Sequence, residues 1–238
     1  METLLNPSVT LFGITFDLTI LAMSLITVLA VFGLVYWGSR QMRLKPSGKQ
    51  NVIEWLYDFV RETISPKLGK YTENYSLFFF VIFLFLVVAN NLGLLVKIET
   101  EHFNLWTSPT SVFAVDLTLS VIVALMCHVE GIRKNGIKGY LTGFLSPYPA
   151  MLPMNLLEEV TNILSLALRL FGNIYVGEVM TTLILQMKNL NIALAPVAFA
   201  LNMLWAGFSM FISCIQAYVF IILASTYLGN KLNAGEED

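Results

Sequence analysis

Apolar residues come in long unbroken blocks along this chain, rather than in the one-sided patterns of soluble helices and strands. Residues 18–38 carry no charge and are long enough to cross a bilayer as one helix. Comparable blocks cover residues 76–97 and 110–130. Since lipid is the solvent that tolerates such blocks, the pattern predicts an all-α polytopic membrane protein.

Two segments between these blocks have a different pattern. Residues 51–64 place apolar side chains at helical spacing and charged ones elsewhere, which predicts an amphipathic helix along the membrane surface. This helix lies within a predicted loop at 39–75. Residues 131–153 are rich in Gly and Pro, and we expect a second loop there.

The last two blocks, 154–188 and 190–230, are unusually long. The first is interrupted by polar residues, whereas no charge occurs between Lys188 and Lys231. A helix over that charge-free stretch would be roughly 63 Å long, about twice the hydrocarbon thickness. With Pro196 near its start, the pattern predicts a tight connection and a long, steeply tilted helical hairpin. The fold class is therefore five membrane-crossing helices plus one amphipathic helix.

Composition supports a membrane location. Of 238 residues, 56% are hydrophobic and only 13% are charged, too few charges to cover a soluble domain of this length. A net charge of −2 does not indicate nucleic-acid binding.

Cys127 and Cys214 lie in apolar blocks far from any CxxC pattern, which is typical of reduced, buried thiols. No basic residue precedes Arg40, so we expect the first block to be a retained span rather than a signal peptide.

Basic residues predict the orientation. They concentrate in the loops at 39–75 and 131–153, and are sparse in the other connections. The positive-inside rule then places these two loops in the cytoplasm. Residues 1–17 and the loop at 98–109 are expected outside, and the tail at 231–238 inside.

Arg169 is a permanent charge within an apolar block. On a helical wheel its face is shared by polar residues and one methionine, all within roughly 40° of it. These are Glu158, Asn162, Ser165, Asn173 and Met180. Glu178 falls on the opposite side, roughly 13 Å further along the helix toward the outside.

Folding the last two blocks as a hairpin pairs their polar positions. Gln216 would lie roughly level with Arg169, and Ser209 with Glu178. Asn202, Ser209 and Gln216 recur every seven residues and so share one helical face.

Each intramembrane charge has two interpretations. Arg169 could form an ion pair within the chain, but no acid lies three or four positions from it. Placing Arg at a helix centre costs about 2.5–3.5 kcal/mol, which favours a counter-charge on another chain. Glu178 could be hydrogen-bonded to a neighbouring helix, or it could relay protons, since protonation would let it lie in the membrane uncharged.

The string LSLALRLFGNIYVGE at 164–178 resembles the signature of the subunit a family of F-type ATP synthases. The strings ANNLGLL at 89–95, PMNLLEE at 153–159 and IQAYVFIILASTYL at 215–228 extend the resemblance over essentially the whole chain. It implies a stator subunit beside a rotating c-ring, with two offset half-channels that carry protons to and from rotor carboxylates.

The resemblance also implies residue roles. Arg169 matches the family's essential arginine between the half-channels, and Glu178 matches its outer-channel carboxyl. Asn173 and Gln216 match polar positions near the arginine. Weaker expectations place Asp116, Asn90 and Ser209 in the outer half-channel and Glu159, Asn162 and Ser165 in the inner one. For Asp116 and Glu159, a carboxylate at the interfacial end of a span is an equal alternative.

One position departs from the family pattern. Relatives place a histidine near the position of Ser209, whereas this chain has only His102 and His128. A histidine-based outer relay is therefore in doubt. His128 and Glu130 are interpreted as interfacial residues at the inner end of the third span.

The resemblance implies the c-ring, peripheral-stalk subunit b and the remaining synthase subunits as partners, in the plasma membrane of a bacterium. We expect no cofactor, no metal and no nucleic acid. The chain has no GxxxxGK[ST] loop, so ATP chemistry is expected on partner subunits. The alternatives are a stand-alone secondary transporter, for which no internal repeat is found, and a structural anchor, which would need no polar stripe.

Overall fold

The structure is a computed structural model that describes residues 8–11, 14–40, 48–95, 107–145, 149–190 and 195–233. Within these ranges, five helical segments are long and apolar enough to cross a membrane. They are Leu18–Ser39, Lys49–Gly93, Phe113–Tyr140, Leu152–Met187 and Ala195–Leu232. The predicted all-α polytopic membrane fold is confirmed.

A short β-hairpin precedes the first span and was not predicted. Strands β1 (Ser8–Leu11) and β2 (Ile14–Asp17) pair antiparallel, with Ser8 opposite Asp17. Helix α1 (Leu18–Ser39) follows directly, and Asp17 is its N-cap. The Asp17 carboxylate accepts hydrogen bonds from the backbone amides of Thr19 and Ile20, which satisfies two donors that the first turn leaves unpaired.

The predicted amphipathic helix is α2 (Lys49–Leu68), longer than the sequence pattern indicated. Its buried face carries Val60, Ile64 and Leu68. A single 3-10 turn, Gly69–Tyr71, leads directly into α3 (Thr72–Leu95). The Tyr57 hydroxyl lies 2.6 Å from the Ser76 hydroxyl, so α2 packs against the start of the helix that follows it.

The loop predicted at 131–153 is helical in its first half. Helix α4 runs over Phe113–Leu145, interrupted only by Gly136, whose φ of 69° and ψ of 162° are not helical. A positive φ is accessible to glycine because it lacks a Cβ atom. The chain turns there and brings Tyr140 against Gly131, where an added Cβ would lie 3.0 Å from the Tyr140 ring. Glycines that indicated a loop therefore mark a turn and a close approach instead.

The last two helices are α5 (Leu152–Leu190) and α6 (Ala195–Asn233), 39 residues each. The Trp205 indole nitrogen donates a 3.2 Å hydrogen bond to the Gly177 carbonyl. Lys231 forms an ion pair with Glu159. In each contact the two residues are about equally far along the sequence from residues 191–194, as expected if α5 and α6 run antiparallel. The steep tilt of this hairpin stays a prediction.

The chain divides into two compact units. The first unit comprises Met1–Arg40, Leu84–Val112 and Leu170–Ala217. The second comprises Gln41–Phe83, Phe113–Arg169 and Tyr218–Asp238. Buried side chains of the first unit include Met23, Leu86 and Ile174, and those of the second include Phe79, Phe220 and Leu228.

Candidate functional site

Arg169 lies on α5, in the second unit. Its Nη2 atom donates a hydrogen bond to Ser165 Oγ at 3.4 Å, one turn earlier on the stripe that the sequence predicted. Among the residues that the structure describes, no carboxylate forms an ion pair with Arg169. The cost of holding this charge in an apolar segment is therefore not offset by an acid in the described chain.

The Tyr227 side chain lies within electrostatic range of Arg169, Glu158 and Glu159. It belongs to α6 and to the second unit. Sequence reasoning missed Tyr227. Pairing the two helices about residue 192 set Gln216, rather than Tyr227, level with Arg169.

Glu159 forms the centre of an ion-pair cluster in the second unit. It accepts from the Lys231 ammonium, and His128 Nε2 lies 3.8 Å from its other carboxylate oxygen. The second ring nitrogen of His128 is hydrogen-bonded to the Tyr140 hydroxyl. The side chain of Glu159 is only 21% exposed, so the cation offsets much of the cost of removing its charge from water. A structural ion pair explains this arrangement as well as a channel lining does.

Three polar side chains line one face of α6 in the first unit. Ser209 and Gln216 are each 8% exposed, and Ser213 between them is fully buried. Within the described ranges, Ser213 Oγ and Gln216 Nε2 have no hydrogen-bond partner. Buried polar groups are normally paired, so such donors indicate that water or another chain completes them. Ser213, four positions after Ser209, could have been found from helical spacing.

Asn90 lies in the first unit and is fully buried. Its amide oxygen accepts a 2.7 Å hydrogen bond from the Thr110 hydroxyl, and its amide nitrogen has no partner among the described residues. Ser108 lies beside them, 2.7 Å from Thr110 and 2.8 Å from the Ala89 carbonyl. An added Cβ on Gly93 would lie 2.6 Å from Ser108, so this glycine permits the close approach.

Asp116 lies in α4, in the second unit, and is completely buried. Neither of its carboxyl oxygens has a hydrogen-bond partner in the part of the chain that the structure describes. Ser120, one turn later on the same face, is also fully buried, and its hydroxyl has no partner among the described residues. A charged carboxylate in such surroundings would be costly, whereas a protonated one could hold and pass on a proton.

The other predicted site residues lie along α5. Asn162 is half-buried and Ser165 exposed in the second unit, while Asn173 and Glu178 are half-buried in the first. Glu178 lies one position after Gly177, the residue that Trp205 of α6 contacts. Each unit therefore contains part of the predicted set.

Comparison with known proteins gives one consistent result. A family model described as "ATP synthase A chain" matches residues 21–229. A protein named "ATP synthase subunit a" from Streptococcus agalactiae serotype III (strain NEM316) is 62% identical over 238 residues. Proteins of the same name from Streptococcus gordonii (strain Challis) and Streptococcus pneumoniae (strain 70585) are 56% and 53% identical over 239 residues. Each of these alignments covers 100% of both chains.

Proposed function

The chain belongs to the ATP synthase A chain family, and from this premise we propose that it is the proton-translocating stator subunit in the membrane sector of an F-type ATP synthase. It provides two offset half-channels, and Arg169 separates them. Protons reach a rotor carboxylate through one half-channel, travel with the rotor, and leave through the other. Proton flow is thereby coupled to rotation.

The observation that carries this proposal is the absence of an acidic partner for Arg169 within the described ranges. A guanidinium stays charged at any physiological pH and favours deprotonation of a carboxyl that approaches it. A passing rotor carboxylate would supply the missing counter-charge. A permanent ion pair within the chain would instead neutralise Arg169 and prevent it from acting on each rotor site in turn.

The outer half-channel is formed by Glu178 together with buried polar groups. Asn90, Asp116 and Ser209 are buried and carry hydrogen-bonding side chains, and we assign Asn173 on α5 and Gln216 on α6 to positions near the arginine. Asn90 and Asp116 each have polar atoms without a hydrogen-bond partner among the described residues, and a water path would satisfy these atoms. His128 is hydrogen-bonded to Tyr140, and His102 lies outside the described residues.

The inner half-channel is formed by Ser165, Asn162 and Glu159. These residues precede Arg169 on α5, toward the side where the basic loops concentrate. Ser165 is exposed and Asn162 half-buried, which is compatible with contact with water. Glu159 is paired with Lys231, so it contributes charge to this path only while that ion pair is open.

The partners of the chain are the other subunits of the synthase. The c-ring would contact the α5–α6 hairpin, and peripheral-stalk subunit b would anchor the stator. The distribution of basic residues supports an external N-terminus and a cytoplasmic C-terminus. ATP chemistry would take place on partner subunits, and the proposal assigns no cofactor or metal to this chain.

Arg169→Ala tests the central assignment. In the assembled complex it should abolish ATP-driven proton pumping while leaving assembly intact, because no fixed charge would then act on the rotor carboxylate. Arg61→Ala is the control: this arginine lies on α2, 47% exposed, in a surface ion pair with Glu73 that contributes little. Normal pumping by Arg169→Ala would overturn the proposal.

Glu178→Gln tests the outer half-channel. Passive proton conductance through the membrane sector should fall, since an amide cannot exchange a proton, while contact with the rotor is retained. Glu62→Gln, an exposed change on α2, should leave conductance unchanged. Equal conductance in the Glu178 variant and the wild type would remove Glu178 from the path.

A further inference from the structure

The indole of Trp205 on α6 contacts the backbone of α5 immediately before Glu178. Its nitrogen donates a 3.2 Å hydrogen bond to the Gly177 carbonyl. Gly177 is buried, Trp205 is half-buried, and both belong to the first unit. The centre of the Phe208 ring lies 5.6 Å from that of the Trp205 ring, so a neighbour on the same helix packs against the indole. The hydrogen bond therefore joins the two helices through a side chain that is itself supported.

The Gly177 carbonyl belongs to the peptide group whose nitrogen is that of Glu178. Because a peptide group is planar, a hydrogen bond that fixes its oxygen also fixes the plane from which Glu178 continues. The Thr181 hydroxyl donates to the same carbonyl at 2.9 Å, and the Thr182 hydroxyl donates to the Glu178 carbonyl at 2.9 Å. These two threonines are part of α5 and move with it. The indole instead fixes this turn of α5 relative to α6.

A glycine precedes Glu178, and this residue type makes an external constraint useful. Apart from proline, glycine has the weakest helix preference, because its backbone loses the most conformational freedom. Glycine also lacks a Cβ atom, which allows another side chain to approach its carbonyl closely. The indole nitrogen in turn requires an acceptor in an apolar segment. One hydrogen bond therefore satisfies the tryptophan and supports the least rigid position next to the carboxylate.

We propose that Trp205 is a positioning residue of the outer half-channel, and that its hydrogen bond to Gly177 holds the direction of the Glu178 side chain. This inference rests on the role proposed for Glu178. Ser209, also assigned to the outer half-channel, lies one turn after Trp205 on the same side of α6 and is 8% exposed. The contact thus sets the turn of α6 that precedes Ser209 against the turn of α5 that carries Glu178.

Trp205→Phe tests the inference, because it keeps an aromatic ring and removes the N–H group. Passive proton conductance of the assembled membrane sector in vesicles should fall about three- to tenfold, the factor that corresponds to one lost hydrogen bond. In a Glu178→Gln background the same change should cause no further fall, since no carboxyl remains to be positioned. A contact that only joined the helices would lower conductance by the same factor in both backgrounds. That result would overturn the proposal.

A second measurement reports the direction of side chain 178 without proton flow. Glu178→Cys is made in a chain in which buried Cys127 and exposed Cys214 are replaced by alanine. The rate at which a water-soluble thiol reagent labels position 178 is then measured in the assembled complex. Trp205→Phe should lower this rate about three- to tenfold, because the side chain is no longer held toward the water path. An unchanged rate would refute positioning by Trp205.

The two measurements separate this inference from the proposed function. Wild-type conductance in Glu178→Gln would remove Glu178 from the proton path, whereas unchanged labelling would remove only the role of Trp205. Trp55→Phe is the matched control, since this tryptophan lies on α2, is 65% exposed and stacks on Phe59. It should leave both conductance and labelling unchanged. Equal effects of the two tryptophan changes would contradict a specific role for the Trp205 hydrogen bond.

Discussion

The amide oxygen of Asn90 accepts a 2.7 Å hydrogen bond from the hydroxyl of Thr110, twenty positions later in the chain. Both residues are fully buried. The contact attaches the 3-10 turn at Pro109–Ser111 to the end of α3 and orients a side chain that we assign to the outer half-channel. It is therefore a positioning contact as well as a stabilising one.

Thr110→Val should lower the free energy of unfolding by about 1–3 kcal/mol, because it leaves the buried Asn90 amide without its donor. Valine preserves the volume of threonine, so the loss reflects the hydrogen bonds of the Thr110 hydroxyl with Asn90 and Ser108. Thermal unfolding of the detergent-solubilised chain measures it. Thr118→Val is the matched control, since that exposed hydroxyl bonds only the Ala114 carbonyl and its loss should cost less than about 0.5 kcal/mol. Equal stability of the two variants would contradict the prediction.

Asp116→Asn should leave assembly intact and reduce passive proton conductance by at least about tenfold, if the buried carboxyl exchanges protons. Asparagine has nearly the same shape as a protonated aspartate but holds no exchangeable acidic proton. Conductance of the membrane sector in vesicles is the measurement, with Asp58→Asn on the exposed surface of α2 as control. Wild-type conductance combined with lowered stability would assign Asp116 a structural role.

Lys231→Gln should destabilise the second unit by roughly 1–3 kcal/mol, between the values for exposed and for buried ion pairs, because Glu159 would keep its charge without a cation. The double variant Lys231→Gln with Glu159→Gln should recover much of the loss. A double-mutant cycle followed by thermal unfolding gives the coupling between the two side chains. Strictly additive effects would show that the ion pair contributes nothing.

Gly229→Ala should destabilise the chain by about 1–3 kcal/mol, since an added Cβ would overlap the carbonyl oxygen of Lys67 at the end of α2. A backbone carbonyl cannot move aside as a flexible side chain can. Gly33→Ala is the control, because no atom lies within 4 Å of its added Cβ. Alanine there should be neutral or mildly stabilising, given its higher helix propensity. The prediction fails if both variants unfold at the same temperature.

Several elements were predictable because their cause is local. A membrane-spanning helix requires a long apolar block, which can be read directly from the sequence. The helices α1, α5 and α6 were predicted from such blocks. The stripe of Ser165 and Arg169 followed from the 3.6-residue period, and the hydrogen bond between them agrees with it. The glycine-rich composition of 131–153 predicted a loop, but the described residues 131–145 are helical apart from Gly136.

What the sequence by itself determined is the number of spans, the helical faces and the presence of an arginine without a nearby acid in its own helix. Only tertiary structure decided which distant groups meet: Lys231 with Glu159, and Thr110 with Asn90. It also decided that Asp116 and Ser213 are buried without partners in the described chain. Hydropathy and periodicity act over a few turns of one helix, whereas pairing and burial depend on how side chains far apart in sequence pack.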